Sequence, residues 1–161
     1  MPGSQKDKQA IIDFLNQILA MELAARDQFF IHAMMYQDWG YTRLYDRVIH
    51  EMNDEETHAR LVMERILFLG GKPELRQTAA LRVGTTVPDM MKNDLALEYE
   101  VADHLRKAIT YCETAQDFTT SHIFTRLLKD TEEDHTFWLE QQLGHIERLG
   151  LQTYLMTSLH H

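Results

Sequence analysis

Glycine and proline are almost absent from three long stretches of this chain, and that absence constrains the fold more than any other feature. The sequence holds 7 Gly and 3 Pro in 161 residues. Residues 4–39, 41–69 and 89–143 contain neither. Strands need frequent turns, so segments of this length favour helices. The spacing of apolar residues agrees. Ile11, Leu15, Ile18, Glu22, Ala25 and Phe29 recur at intervals of three and four. So do Leu44, Val48, Glu51, Glu55, His58, Val62 and Leu69, and likewise Met91, Leu95, Glu98, Val101, Leu105 and Cys112. Leu128, Glu132, His135, Leu139, Ile146 and Leu149 form a fourth series. Each series is one face of an amphipathic helix.

The expected helices run over 7–37, 42–69, 88–115 and 118–148, with a short fifth over 151–159, all within one domain spanning 1–161. Pro88 suits a first helical turn, and Asp117 suits an N-cap. Tight links at Gly40 and near 116 make the first and second helices antiparallel, and the third and fourth likewise. The second and third are joined by about 17 residues without periodicity. Extended, they reach roughly 55 Å, further than the roughly 42 Å length of a 28-residue helix. The loop can therefore traverse the whole bundle, giving an all-α four-helix bundle with one long crossover.

Composition removes whole classes of function. The net charge of −9 opposes nucleic acid as the main partner and favours cations. No apolar run is long enough to span a membrane. One cysteine, Cys112, excludes an internal disulfide framework and reads as an inert core thiol. The N-terminal segment lacks the apolar core of a secretion signal, so the expected location is cytoplasmic. Met34 and Met35 read as packing residues, and His160–His161 as natural or as remnants of expression.

The chemistry lies where the stripes are broken. Glu22, Glu55, His58, Glu98, Glu132 and His135 stand at positions that call for apolar side chains. Burying a lone carboxylate costs several kcal/mol, so four together need protonation, water or metal. All six fall near the middle of their helices, hence at one depth. Glu55/His58 and Glu132/His135 are Glu-x-x-His pairs, a spacing that projects both side chains from one helix face. One Glu from each of two helices and Glu-x-x-His from each of the other two is the arrangement of di-iron and di-manganese carboxylate proteins. Four carboxylates balance two divalent ions, and such ligands suit iron or manganese.

Taken with their order and spacing, several segments resemble the bacterioferritin and ferritin family. They are Glu22-Leu-Ala-Ala-Arg-Asp-Gln28, His50-Glu-Met-Asn-Asp-Glu55-Glu-Thr-His58-Ala, Asp94-Leu-Ala-Leu-Glu98, Asp130-Thr-Glu132-Glu-Asp-His135, Arg65-Ile-Leu-Phe-Leu69 and Gly150-Leu-Gln-Thr-Tyr-Leu155. The resemblance covers nearly the whole chain. It implies a ferritin-like four-helix bundle and an iron-storage cage of 24 subunits with ferroxidase activity, oxidising Fe²⁺ with O₂ or H₂O₂. It implies that Glu55 and Glu132 bridge two irons, that Glu22 with His58 holds one, and that Glu98 with His135 holds the other. His50 and Asp54 match positions linked to an iron site on the cavity face. Partners implied are further copies of the chain, a haem-bearing subunit in a mixed cage, and an electron donor for iron release. A di-iron or di-manganese oxidase or peroxidase without a cage is the alternative, and a non-catalytic helical scaffold with solvated acids is a third reading.

Two positions depart from the family. The methionine that binds haem between two subunits is replaced by Glu56, and Met52, one turn earlier, does not substitute for it. Haem is therefore not expected in a homo-oligomer of this chain, which resembles the haem-ligand-lacking subunits of the group. Phe29 stands where the family usually has tyrosine, leaving Trp138 as the nearest aromatic alternative by sequence.

Overall fold

Four long helical rods and a short fifth make up the computed structural model, which describes residues 3–74 and 80–159. Helix α1 spans Gln5–Asp38, α2 Thr42–Phe68 and α3 Val87–Thr114. The fourth rod is composite: α4 over Phe118–Lys129, a π-helical segment over Asp130–Thr136, and α5 over Phe137–Leu149. Helix α6 covers Leu151–Met156. Among the described residues there is no strand. His160 and His161 lie outside the described residues.

The helix starts follow ordinary capping chemistry. The Ser4 hydroxyl accepts from Asp7 N at 3.0 Å, and the Thr86 hydroxyl from Asp89 N at 3.3 Å with Pro88 in the first turn. Asp117 caps α4 by accepting from Thr120 N at 3.1 Å. Its Oδ1 also accepts from Arg65 Nη2 at 3.0 Å, so a buried ion pair ties α2 to the start of α4. Gly40 and Gly150 sit at φ near 80°, the left-handed region that a helix C-terminus commonly needs.

The crossover from α2 to α3 can be followed by its anchors on α1. Asn16 Nδ2 donates to the Lys72 carbonyl at 3.1 Å, and Asn16 Oδ1 accepts from Glu74 N at 2.8 Å. Further along, Gln28 Oε1 accepts from Arg82 N at 3.0 Å, and His32 Nε2 from Gly84 N at 3.2 Å. From Asn16 to His32 is about 24 Å of helix, so the connection climbs α1 and enters α3 at the far end. Gly84 lies close against that entrance, where a Cβ would meet Met90 N at 2.6 Å.

The apolar core is in two pieces. One contains Ile11, Leu15 and Leu19 of α1, Val62 and Ile66 of α2, Leu105 and Cys112 of α3, and Phe124 and Leu127 of α4. The other contains Phe29 and Tyr36 of α1, Val48 of α2, Met91 of α3 and Leu139 of α5. Between them every rod turns polar: Glu22 on α1, Glu51, Glu55 and His58 on α2, Glu98 on α3, and Thr131 and His135 in the π segment. Cys112 is buried in the first piece, and burial pushes its thiol up to about 12. Met35 packs on the second, whereas Met34 is exposed.

The fourth rod departs from the expected continuous α-helix. Its inward residues are Phe124, Leu127, Thr131, His135 and Leu139, not Leu128 and Glu132. A π-helix closes its hydrogen bonds over i→i+5. The segment therefore absorbs one residue more per turn than an α-helix, and everything before it is displaced by one position relative to the α-helical stripe.

Candidate metal centre

Glu22, Glu55, His58, Glu98 and His135 converge in the polar layer, each at most 2% exposed. His58 Nδ1 lies 2.8 Å from Glu22 Oε2 and 3.7 Å from Glu55 Oε2. His135 Nδ1 lies 3.1 Å from Glu55 Oε1 and 3.6 Å from Glu98 Oε1. Glu55 thus faces both imidazoles, which stack with centroids 6.2 Å apart. Two triads of ligand atoms result, Glu22/Glu55/His58 and Glu55/Glu98/His135, each with its atoms within 4.8 Å of one another.

Glu132 does not join them. The π segment carries the position three residues before His135 off the inner face. Its side chain is 42% exposed and accepts from Arg106 Nη2 at 2.8 Å.

Each imidazole has a second carboxylate behind it. His58 Nε2 meets Asp130 Oδ2 at 2.8 Å, and His135 Nε2 meets Asp54 Oδ2 at 3.0 Å. Asp54 also lies 3.3 Å from His50 Nε2, and Asp134 lies 3.6 Å from the same nitrogen. His50, Asp54 and Asp134 make a third possible cation group, exposed or half-buried rather than enclosed.

Burial dominates the electrostatics. It pushes Glu22 well up, and repulsion from Glu55 adds to that. Burial and the charge of Glu55 raise Glu98 to about 7. Burial works against charge on His58, but its hydrogen bond to Glu22 and the nearby charge of Glu55 outweigh that and raise it to about 11. His135 is raised by Asp54, Glu55 and Glu98 in the same way. Glu55 moves down despite its burial, because Glu22, His135 and His58 all stabilise its charge. Without metal, both imidazoles and the Glu22 carboxyl are thus pushed toward their protonated forms.

The donor set fits divalent metal. Glu22 Oε1, Glu55 Oε2 and both Glu98 oxygens are buried with no hydrogen-bond partner. Buried polar atoms are rarely left so, and here four carboxylate oxygens of the two triads are. Carboxylate oxygen and imidazole nitrogen are ligands for iron, manganese or zinc rather than for soft thiophilic ions.

Sequence reasoning passed over Glu51, which is buried one turn before Glu55 and accepts from Arg47 Nε at 3.1 Å. Burial pushes it up to about 8. Its place in the apolar stripe was the available signal. Arg47 also pairs with Asp134 and lies over the Trp138 ring at 5.1 Å. Phe29 meets His135 edge-on at 6.3 Å, so a hydrocarbon ring borders that imidazole. At the haem-methionine position, Glu56 is more than half exposed and lies 3.8 Å from Arg26 Nη1. Met52 is half-buried in the second core.

Comparison with known proteins agrees with this architecture. Residues 12–149 match the ferritin family, described as the ferritin-like domain. The chain is 52% identical over 154 residues to a protein of Synechocystis sp. named bacterial ferritin, covering 96% of this chain and 99% of that one. It is 51% identical to a bacterial ferritin of Neisseria meningitidis serogroup B, covering 94% and 97%. It is 40% identical to a bacterioferritin of Mycolicibacterium paratuberculosis, covering 89% and 90%.

Proposed function

The chain belongs to the ferritin-like domain family, and on that premise we propose that it stores iron and is a ferroxidase. Fe²⁺ is the substrate, oxidised at the paired site by O₂ or H₂O₂, and the ferric product is held in a cage of 24 subunits. The observation that carries this reading is the pair of triads sharing Glu55, with unpartnered carboxylate oxygens at the centre.

The electron balance explains why two ions are needed. Two Fe²⁺ give up two electrons, and O₂ with two protons takes them to become H₂O₂; with peroxide as oxidant, the same two electrons yield water. The chain's contribution is to hold two ions close enough for both electrons to leave together. Its protons are placed for the exchange. Binding of Fe²⁺ displaces protons from Nδ1 of His58 and His135 and from Glu22, because ligands must be deprotonated. Asp130 and Asp54, on the far nitrogens, keep the rings oriented while Nδ1 is given up. The net charge of −9 favours cation approach.

Assembly is supported by the apolar residues Phe30, Ile31, Met34 and Trp39, which lie exposed along one end of α1, since exposed apolar patches commonly mark interfaces. No helix among the described residues is long and apolar enough to cross a membrane. The test combines aerobic Fe²⁺ oxidation with native particle mass for the wild type and His58→Ala. The wild type is expected to oxidise Fe²⁺ rapidly, retain ferric iron and run as a particle some 24 times the chain mass; the variant should assemble equally and oxidise slowly. Full activity in His58→Ala removes the ferroxidase reading. A monomer or dimer that turns over a di-metal reaction without retaining iron favours an oxidase or peroxidase without a cage.

A further inference from the structure

We propose that the fourth rod serves the paired-metal site through His135 and Asp130, and that Glu132 takes no part in holding metal. The inference rests on the metal reading above and concerns which groups of this chain define the centre.

Glu132 and His135 would share a face if the rod were α-helical throughout. The π segment over Asp130–Thr136 breaks that relation. One turn before His135, the inward residue is Thr131, fully buried, whose hydroxyl donates to the Leu127 carbonyl at 2.9 Å. Glu132 is turned outward and is held there by Arg106 of α3 at 2.8 Å. The rod cannot simply rotate to bring it back. Phe124 and Leu127 on one side and Leu139 on the other are already locked in the two core pieces.

The same register gives Asp130 a different task. It sits 2.8 Å from His58 Nε2, on the side of the ring opposite Glu22. Asp54 sits 3.0 Å from His135 Nε2 in the matching relation. An acceptor at Nε2 keeps a proton there and leaves the Nδ1 lone pair for a metal, the usual role of a carboxylate behind a histidine ligand. Asp130 and Asp54 are thus positioning residues for the two halves of the site.

The charge count then changes. Three enclosed carboxylates, Glu22, Glu55 and Glu98, face two divalent ions, so the first ion leaves a net negative site and the second leaves a positive one. Without a fourth carboxylate, the second ion binds more weakly than the first. Glu132 in place would have made the pair neutral.

The test is equilibrium titration of the metal-stripped full-length protein with Co²⁺ under anaerobic conditions, following both affinity and visible absorption. The wild type is expected to take up two ions in unequal steps. In Glu132→Ala, both dissociation constants stay within about twofold and the Co²⁺ bands keep their shape, because an outward side chain has been removed. In Asp130→Asn, the ion beside His58 weakens by roughly ten- to a hundredfold, with unchanged bands and an unchanged melting temperature of the metal-free protein. Deleting Thr131 restores an α-helical register, swings Glu132 inward and tightens the second ion. Loss of an ion or altered bands in Glu132→Ala overturns the inference, and an unchanged Asp130→Asn overturns the role given to Asp130. A wild type that binds no ion overturns the metal reading itself. Two ions bound by wild type, with one lost in Glu132→Ala, overturns only the assignment made here.

Discussion

Replacing Glu98 by glutamine should make the metal-free protein more stable at alkaline pH and reduce the advantage that metal confers. Glu98 is fully enclosed, and burial with the charge of Glu55 raises its carboxyl from an ordinary 4.5 to about 7. That difference corresponds to about 3 kcal/mol. The sign follows from which state keeps the proton. Below pH 4.5 both states are protonated and there is no penalty. Between 4.5 and about 7 the unfolded chain ionises first, so stability falls as pH rises, and above 7 the loss is complete. Glutamine is neutral at every pH and close in shape. Metal-free Glu98→Gln should therefore match the wild type near pH 4.5 and exceed it by up to about 3 kcal/mol at pH 8. For a chain of this size that is about 6–12 °C in melting temperature. Urea unfolding of the metal-stripped proteins at the two pH values measures it. Zn²⁺ at a hundred times its dissociation constant should cancel most of that difference, since each site adds about 2.7 kcal/mol and Glu98→Gln loses one of the two. A metal-free Glu98→Gln less stable than wild type at pH 8 would refute the premise that uncompensated burial of charge dominates this layer.

Two further outcomes follow from the same structure. Metal affinity should rise with pH across the neutral range, because His58, raised to about 11, and Glu22, also raised, must each release a proton. Calorimetry in buffers of different ionisation enthalpy should record proton release, and pH-independent binding would contradict the assigned protonation. Asp117→Ala should cost about 3–5 kcal/mol in urea unfolding, since it removes the α4 cap and leaves the Arg65 guanidinium buried without its carboxylate. A loss below about 1 kcal/mol would show that water replaces the carboxylate there.

Much of the architecture was already written in the order of residues. Stretches without glycine or proline required long helices, and apolar spacing told which face of each turned inward. An unpatterned loop too long for a tight turn implied the crossover that Asn16, Gln28 and His32 are seen to anchor. Glu22, Glu55, His58, Glu98 and His135 stood out because each interrupts an apolar stripe, and their equal depth follows from arithmetic on helices of similar length. Those inferences need only local periodicity and the cost of burying charge.

The register of the fourth rod did not follow from such arithmetic. An α turn and a π turn differ by one residue in hydrogen-bond closure, and the sequence Asp130–Thr136 contains no residue that forces either. The choice was made by packing. Leu127 and Leu139 must fill two separate core pieces, and only an extra residue between them lets both do so while His135 enters the polar layer. That placed Glu132 on the surface beside Arg106 and turned Thr131 inward. The carboxylates behind the imidazoles were hidden for a related reason. Asp54 meets His135 across 81 positions of chain and Asp130 meets His58 across 72, relations that exist only once the rods have packed.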